Sequence, residues 1–227
     1  MTAVRPPEFF PRPEVAALML AADRLVLADT LRFSRQAAHN RARIRTGAGT
    51  QWLSVPREHL GRPVALDQLP VVDDGWRQRH LHALQTAYGM APYIEHVRPE
   101  VEALLSREWR SLGALAVATC EWTHRWLGAS CEVVTASTLP GRPDSLGAIW
   151  ETAGTAPLLA LPESADRDRQ RLGVEMRILR FDAPEYRQAF DGFAPGCSSL
   201  DLILNHGPRA AEILRTGTRV EPSRGTA

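Results

Sequence analysis

The chain has no lysine: all 27 of its basic residues are arginine, set against 26 acidic residues. That absence removes Schiff-base chemistry, a lysine general base and the phosphate-binding lysine of a Walker loop. Alanine, glycine and proline are abundant alongside arginine, which is the signature of a GC-rich genome. The placement of the arginines therefore carries more information than their identity. Cysteine is scarce. Cys120, Cys131 and Cys197 are far apart, odd in number and form no CxxC pair, which argues against a zinc site or a disulfide framework and for a reducing, cytoplasmic compartment. No apolar run approaches the ~20 residues of a membrane span, and the opening "MTAVRPPEFFPRPE" has no apolar signal-peptide core. A net charge of +1 gives no general attraction to nucleic acid. What is present is 227 residues with 44% hydrophobic side chains, enough to bury the core of one ordinary domain.

Strand and helix patterns alternate. "PEVAALMLAAD" (13–23) is apolar at helical spacing and "RLVLAD" reads as a short buried strand ending at Asp29. Loop-like sequence is expected through the arginine-rich stretch "LRFSRQAAHNRARIRT" (31–46), followed by a turn in "TGAGT" and a strand in "QWLSVP" stopped by Pro56. Asp73 and Asp74 are expected to cap a helix running from Trp76 to Gly89. Helices over 96–108 and 111–127 precede a strand in "CEVVTAST" and a helix in "SLGAIWETAG". Strands in "APLLAL" and "VEMRILRF" flank the charged helix "ESADRDRQRLG", and "SSLDLILNHGPRAAEILRTG" is helical on both sides of a break at Gly207 and Pro208. The expected fold is α/β, a single domain over 1–218 with a mixed or mostly parallel sheet covered by helices on both faces, and a flexible tail over 219–227.

Asp29 stands where α/β folds open their ligand crevices, at the end of a buried strand, although an aspartate there also serves as a cap for the next turn. His39 and Asn40 follow it among Arg32, Arg35, Arg41, Arg43 and Arg45. If that segment folds over the strand end, a carboxylate, an imidazole and several guanidiniums share a pocket that holds an anion and moves a proton. His80 follows Trp76 by four positions and shares its helix face, an arrangement that suits packing at least as well as catalysis. Ser198 with Asp201 three positions on imitates a capping box, while Asn205 and His206 sit at a helix break, facing a site or satisfying freed carbonyls. No GxSxG surrounds any serine, and no set of ligands suggests a metal.

In order along the chain, "PPEFFP", "ADRLVLADTLRFSRQAAHNRARI", "QWLSVP", "WRQRHLHALQTAYGMAPY" and "PEYRQAFDGFAPGCSSLDLILNHG" resemble the WbqC-like proteins over nearly the whole length. Trp76, His80, Tyr88, Pro92, Ser198, Asp201, Asn205 and Gly207 fit that pattern. The departures lie in its polar mouth: Pro6 begins the first motif without the usual Gln, Thr30 replaces the second Asp, Ala38 the Trp and Ala42 the second Asn. "LALPESADRD" replaces a glycine-bearing stretch. The resemblance implies an acyl or aminoacyl transfer onto amino sugars, as suggested for the family in surface-polysaccharide clusters. The rewritten mouth is similar to a specialised branch that forms aziridines in azinomycin- and ficellomycin-type pathways. That similarity implies no cofactor, an amino-group carrier protein as partner, and a sulfotransferase acting beforehand. Asp29, His39 and His80 are then the candidate proton acceptors. Arg35, Asn40, Arg41, Arg43, Asn205 and His206 are the candidate substrate and anion ligands. A non-catalytic partner of the sulfotransferase is the reading from a different class.

Overall fold

The computed structural model describes residues 1–223. Strands β1 (Thr2–Arg5), β2 (Arg24–Leu27), β5 (Glu132–Thr135), β6 (Leu158–Ala160) and β7 (Met176–Phe181) are joined in parallel, and β8 (Thr218–Pro222) adds an antiparallel edge. Their order is β5-β2-β1-β6-β7-β8. A separate hairpin pairs β3 (Arg41–Thr46) with β4 (Gly49–Ser54). The α/β class with a mostly parallel sheet is as the alternation of patterns led one to expect.

Period-2 patterning sends alternate strand residues to opposite faces. Ala3, Leu25, Leu27, Leu159 and Leu179 meet α1 (Pro13–Ala21) and Cys120 of α4 (Leu112–Trp126) on one side. Val4, Val26, Leu158, Ala160, Met176 and Ile178 meet α5 (Leu146–Ala153) and Ala165 of α6 (Pro162–Leu172) on the other. A larger core lies beside the sheet. There α2 (Trp76–Tyr88), α3 (Ile94–Leu105), α7 (Ser199–His206) and α8 (Ala210–Thr216) close over Phe9, Phe10, Ile44, Trp76 and Trp122.

Four expectations are corrected. The end of the arginine stretch is a strand, because Ala42 and Ile44 point into the core while Arg41 and Arg43 stay at the surface, an alternation that loop composition had hidden. Residues 219–222 are not tail: they pair with β7 along its length, and Val220 opposite Leu179 gives the edge its register. Residues 224–227 lie outside the described residues. The N-cap of helix α2 is Gly75 rather than an aspartate, and it is left-handed with φ 80°. Asp73 instead accepts from the Gly75 N–H at 3.2 Å and pairs with Arg77 at 2.9 Å. The capping box at Ser198 is not made, since the Ser198 hydroxyl is sealed without a partner and Asp201 is engaged elsewhere. The break between α7 and α8 does need its glycine. Gly207 has φ 53°, and a Cβ there would meet the Tyr93 ring at 2.2 Å.

Candidate functional site

Chain order departs from spatial order between β1 and β6. The first half of the sheet winds from β1 outward through β2 to β5, and the second winds from β6 to β7 on the other side of β1. The carboxyl ends of the two halves diverge at that seam, which is where open α/β sheets hold ligands. A cavity of about 490 Å³ opens there. Arg5 at the end of β1, Arg12 before α1, Leu31, Arg32 and His39 after β2, Arg41 and Trp52 of the hairpin, and one face of α6 line it. The contribution of α6 is Glu163, Ser164, Arg167, Asp168 and Arg171, whose spacing of four and of three places them along one helical stripe. The first turn of α6 also lies at this end of the sheet, where unpaired N–H groups favour negative charge.

His39 is held by the segment that follows β1. Its Nδ1 lies 3.1 Å from the Pro7 carbonyl, and the Phe9 N–H donates to the Ala38 carbonyl at 3.1 Å. A carbonyl only accepts, so in neutral His39 the proton sits on Nδ1 and Nε2 keeps its lone pair. Nε2 has no partner among the described residues and is not sealed off. Burial pushes the imidazole pKa below its ordinary 6.5. The Pro7 hydrogen bond and Glu8 oppose that shift, while Arg5 and Arg12 add to it. The neutral, proton-accepting form is therefore the one present at neutral pH.

The guanidiniums of the cavity fall into two groups. Arg5 is paired with Glu163 at 3.3 Å, and Arg12 is held by Glu8 at 2.9 Å and Glu14 at 2.8 Å. Arg32, Arg41 and Arg171 line the same space with no acidic partner among the described residues. Arg41 and Arg43 stack on the Trp52 ring, at 4.9 and 4.7 Å from its centre, which holds these two long side chains without spending their charge. Arg45 turns inward instead, donating to the carbonyls of Gly49 at 2.9 Å and Asp191 at 2.7 Å.

The other expected site residues lie elsewhere. Asp29 is 3% exposed and does not line the cavity. Its carboxylate accepts from the Ser137 N–H at 2.9 Å and the Ser137 hydroxyl at 2.6 Å, tying β2 to the turn after β5. Burial raises its pKa against those hydrogen bonds, with Asp67 adding to the rise. His80 packs edge-on against Trp76, ring centres 5.0 Å apart, and donates from Nε2 to the Ser54 carbonyl at 3.2 Å. Its Nδ1 is sealed without a partner, and burial pushes its pKa down to about 4. Arg35 and Asn40 border a shallower depression of about 500 Å³ on the far side of Arg41, where Asn40 donates to the Val55 carbonyl at 2.9 Å. Asn205 donates to the Asp201 carbonyl at 2.7 Å, and His206 donates to that of Arg187 at 2.9 Å. Both belong to the helical core rather than the seam. Burial pushes the Cys131 and Cys197 thiols up, to about 11 and about 12, so neither is a thiolate nucleophile at neutral pH.

The structure brings Arg5, Arg12 and the α6 stripe to His39 and Arg41, and sequence reasoning missed them. The available signal was the polar 163/167/171 and 164/168 spacing in a helix that directly follows a buried strand. Among the described residues no group of histidine, cysteine and carboxylate side chains is arranged to hold a metal, and no helix is long and apolar enough to cross a membrane.

No solved structure matches the chain. It is 25% identical over 214 residues to the uncharacterized protein Rv1507c of Mycobacterium tuberculosis (strain ATCC 25618 / H37Rv), covering 87% of this chain and 90% of that one. The WbqC-like protein family matches residues 6–213, from the segment that holds His39 through α6 to α8. The chain that builds this cavity thus belongs, over almost its whole length, to the WbqC-like protein family.

Proposed function

We propose that this protein is a biosynthetic enzyme in which an amine attacks carbon and displaces an anionic leaving group, inside the cavity at the β1/β6 seam. The specific reaction is closure of an aziridine ring on a diamino acid carried by an amino-group carrier protein, with sulfate as the leaving group. The observation that carries it is the free Nε2 of neutral His39 sharing one cavity with Arg32, Arg41 and Arg171, none of which has an acidic partner among the described residues.

The nitrogen lone pair forms the new C–N bond as the C–O bond to sulfate breaks. That electron pair leaves on the sulfate, and the proton shed by nitrogen passes to His39 Nε2. Guanidiniums fixed before the reaction stabilise the departing charge without reorganising. Holding amine and leaving group anti can be worth roughly 7–11 kcal/mol, so positioning supplies much of the acceleration. A sulfotransferase acts one step earlier, since the ester must be made before it can leave.

The test is to incubate the purified chain with the sulfated, carrier-linked diamino acid and follow conjugate mass together with free sulfate. Ring closure faster than in buffer, and lost in His39→Gln and Arg41→Ala, supports the reading. A conjugate that stays sulfated overturns it, and acylation of an amino sugar by the same protein would assign the cavity to transfer instead.

A further inference from the structure

Of the six arginines that line the cavity, Arg5 and Arg12 are paired with Glu163, Glu8 and Glu14, Arg167 is paired with Asp168, and Arg32, Arg41 and Arg171 have no acidic partner among the described residues; the remaining contrast lies in the acids. Glu163 is half exposed, with 53% of its side chain accessible, and is shared by Arg5 at 3.3 Å and Arg12 at 3.8 Å. Asp168 is the opposite case. Its side chain is 9% exposed, yet it lines the cavity. It receives one hydrogen bond, from Arg167 Nε to Oδ1 at 3.3 Å, and Arg167 is itself 61% exposed. Oδ2 has no donor among the described residues and is not sealed from the cavity. A buried carboxylate with one weak partner is costly unless a cation completes it.

Arg171 lies three residues further along α6 and faces the same space with no acid of its own among the described residues. Side chains at this spacing stand roughly 5–6 Å apart at Cβ. One helix face therefore presents a negative and a positive group to the same cavity.

We infer that Asp168 is the ammonium-recognising residue of this cavity, and that the cavity selects a zwitterionic amino-acid-like group over a plain anion. This rests on the seam cavity being the substrate site. Asp168 Oδ2 takes an N–H of the substrate ammonium as it binds, the ammonium gives up one proton to solvent before its lone pair attacks, and the free arginines take the anionic end.

Calorimetric titration with O-sulfo-L-serine and with 3-sulfooxypropanoate, which lacks the amine, tests it. The unmodified protein is expected to bind the amine-bearing probe about tenfold more tightly or better, the scale of one charge-assisted hydrogen bond. Asp168→Asn is expected to erase that preference while leaving 3-sulfooxypropanoate bound at least as well, and Asp168→Glu to retain part of it. Equal affinity of the unmodified protein for both probes overturns the assignment and leaves the anion site standing, as does a preference that survives Asp168→Asn. Failure of the unmodified protein to bind either probe overturns the seam cavity as the substrate site, and this inference with it. A folded Asp168→Asn variant, read from its circular dichroism, keeps lost preference from being mistaken for lost structure.

Discussion

Asp201 and Asp168 are both buried carboxylates on helices, and they are held in opposite ways. Asp201 is fully buried and satisfied from all sides: Tyr88 and Tyr186 donate at 2.7 Å each, Gln188 at 2.9 Å and Asn205 at 3.4 Å. Tyr88 in turn accepts from the Arg45 N–H at 2.8 Å, so the network fastens α2, α7, the hairpin and the 186–197 segment together. Burial and the Asp201 charge both raise the pKa of the two phenols, which keeps them as donors. Asp168 has one exposed partner and an open cavity before it. The two histidines repeat the contrast. His80 has its unpaired nitrogen sealed in the core, and His39 has its unpaired nitrogen open to the cavity. Polar groups closed off from the cavity hold the fold, most of them with partners, and the groups left open to the cavity are the ones free to meet a ligand.

The contrast breaks most sharply through His39→Gln, which keeps a polar side chain but loses the proton acceptor. Turnover in the proposed ring closure should fall on the order of 10²–10⁴-fold with the urea midpoint nearly unchanged. A midpoint that falls as steeply as turnover would place His39 with His80 as a structural residue. Asp201→Ala should do the reverse, costing about 3 kcal/mol or more because it strands the two phenols and the Gln188 amide. Denaturant unfolding followed by Trp fluorescence measures this.

His80 gives a pH signature of similar size. Its folded pKa, about 4, lies below the unfolded 6.5, so between those values the unfolded chain binds the extra proton. The stability it contributes is intact above pH 6.5 and is lost as pH falls toward 4, by at most roughly 3 kcal/mol. Unfolding curves across that window should lose most of their slope in His80→Leu; an unchanged slope would assign the acid sensitivity to other groups. Asp29→Ala should cost only about 1–2 kcal/mol, the value of a cap and its hydrogen bonds, with turnover retained. Loss of turnover in a stably folded Asp29→Ala would move Asp29 from the structural group to the site. Arg41→Ala is the mildest for stability, about 0.5 kcal/mol or less for one exposed stacking contact, while weakening sulfate binding measurably by calorimetry.

Much of the fold was legible because burial leaves a periodic mark. The strands at 24–27, 158–160 and 176–181 and the helices at 13–21, 76–88 and 146–153 show it plainly in their apolar spacing. Arg41–Thr46 and Thr218–Pro222 were missed for one shared reason. Edge and hairpin strands keep a polar face, and in short segments rich in arginine or proline the alternation is swamped by composition. Of the site, His39 and Arg41 were legible as unusual residues at the end of a strand. Arg5, Asp168 and Arg171 were not, because nothing along the chain tells that β6 lies beside β1 rather than β5.

The sequence by itself determined the α/β class, the two-sided burial of the parallel strands and the arginine-rich segment near their carboxyl ends, all of which depend on neighbours a few residues apart. Tertiary structure alone decided which polar groups became site and which became scaffold. That choice depends on whether a partner more than a hundred residues away, such as Ser137 for Asp29 or Tyr88 for Asp201, arrives to satisfy the charge. For His39 Nε2 and Asp168 Oδ2 none arrives among the described residues, because the sheet's two halves part at that seam and leave a cavity there.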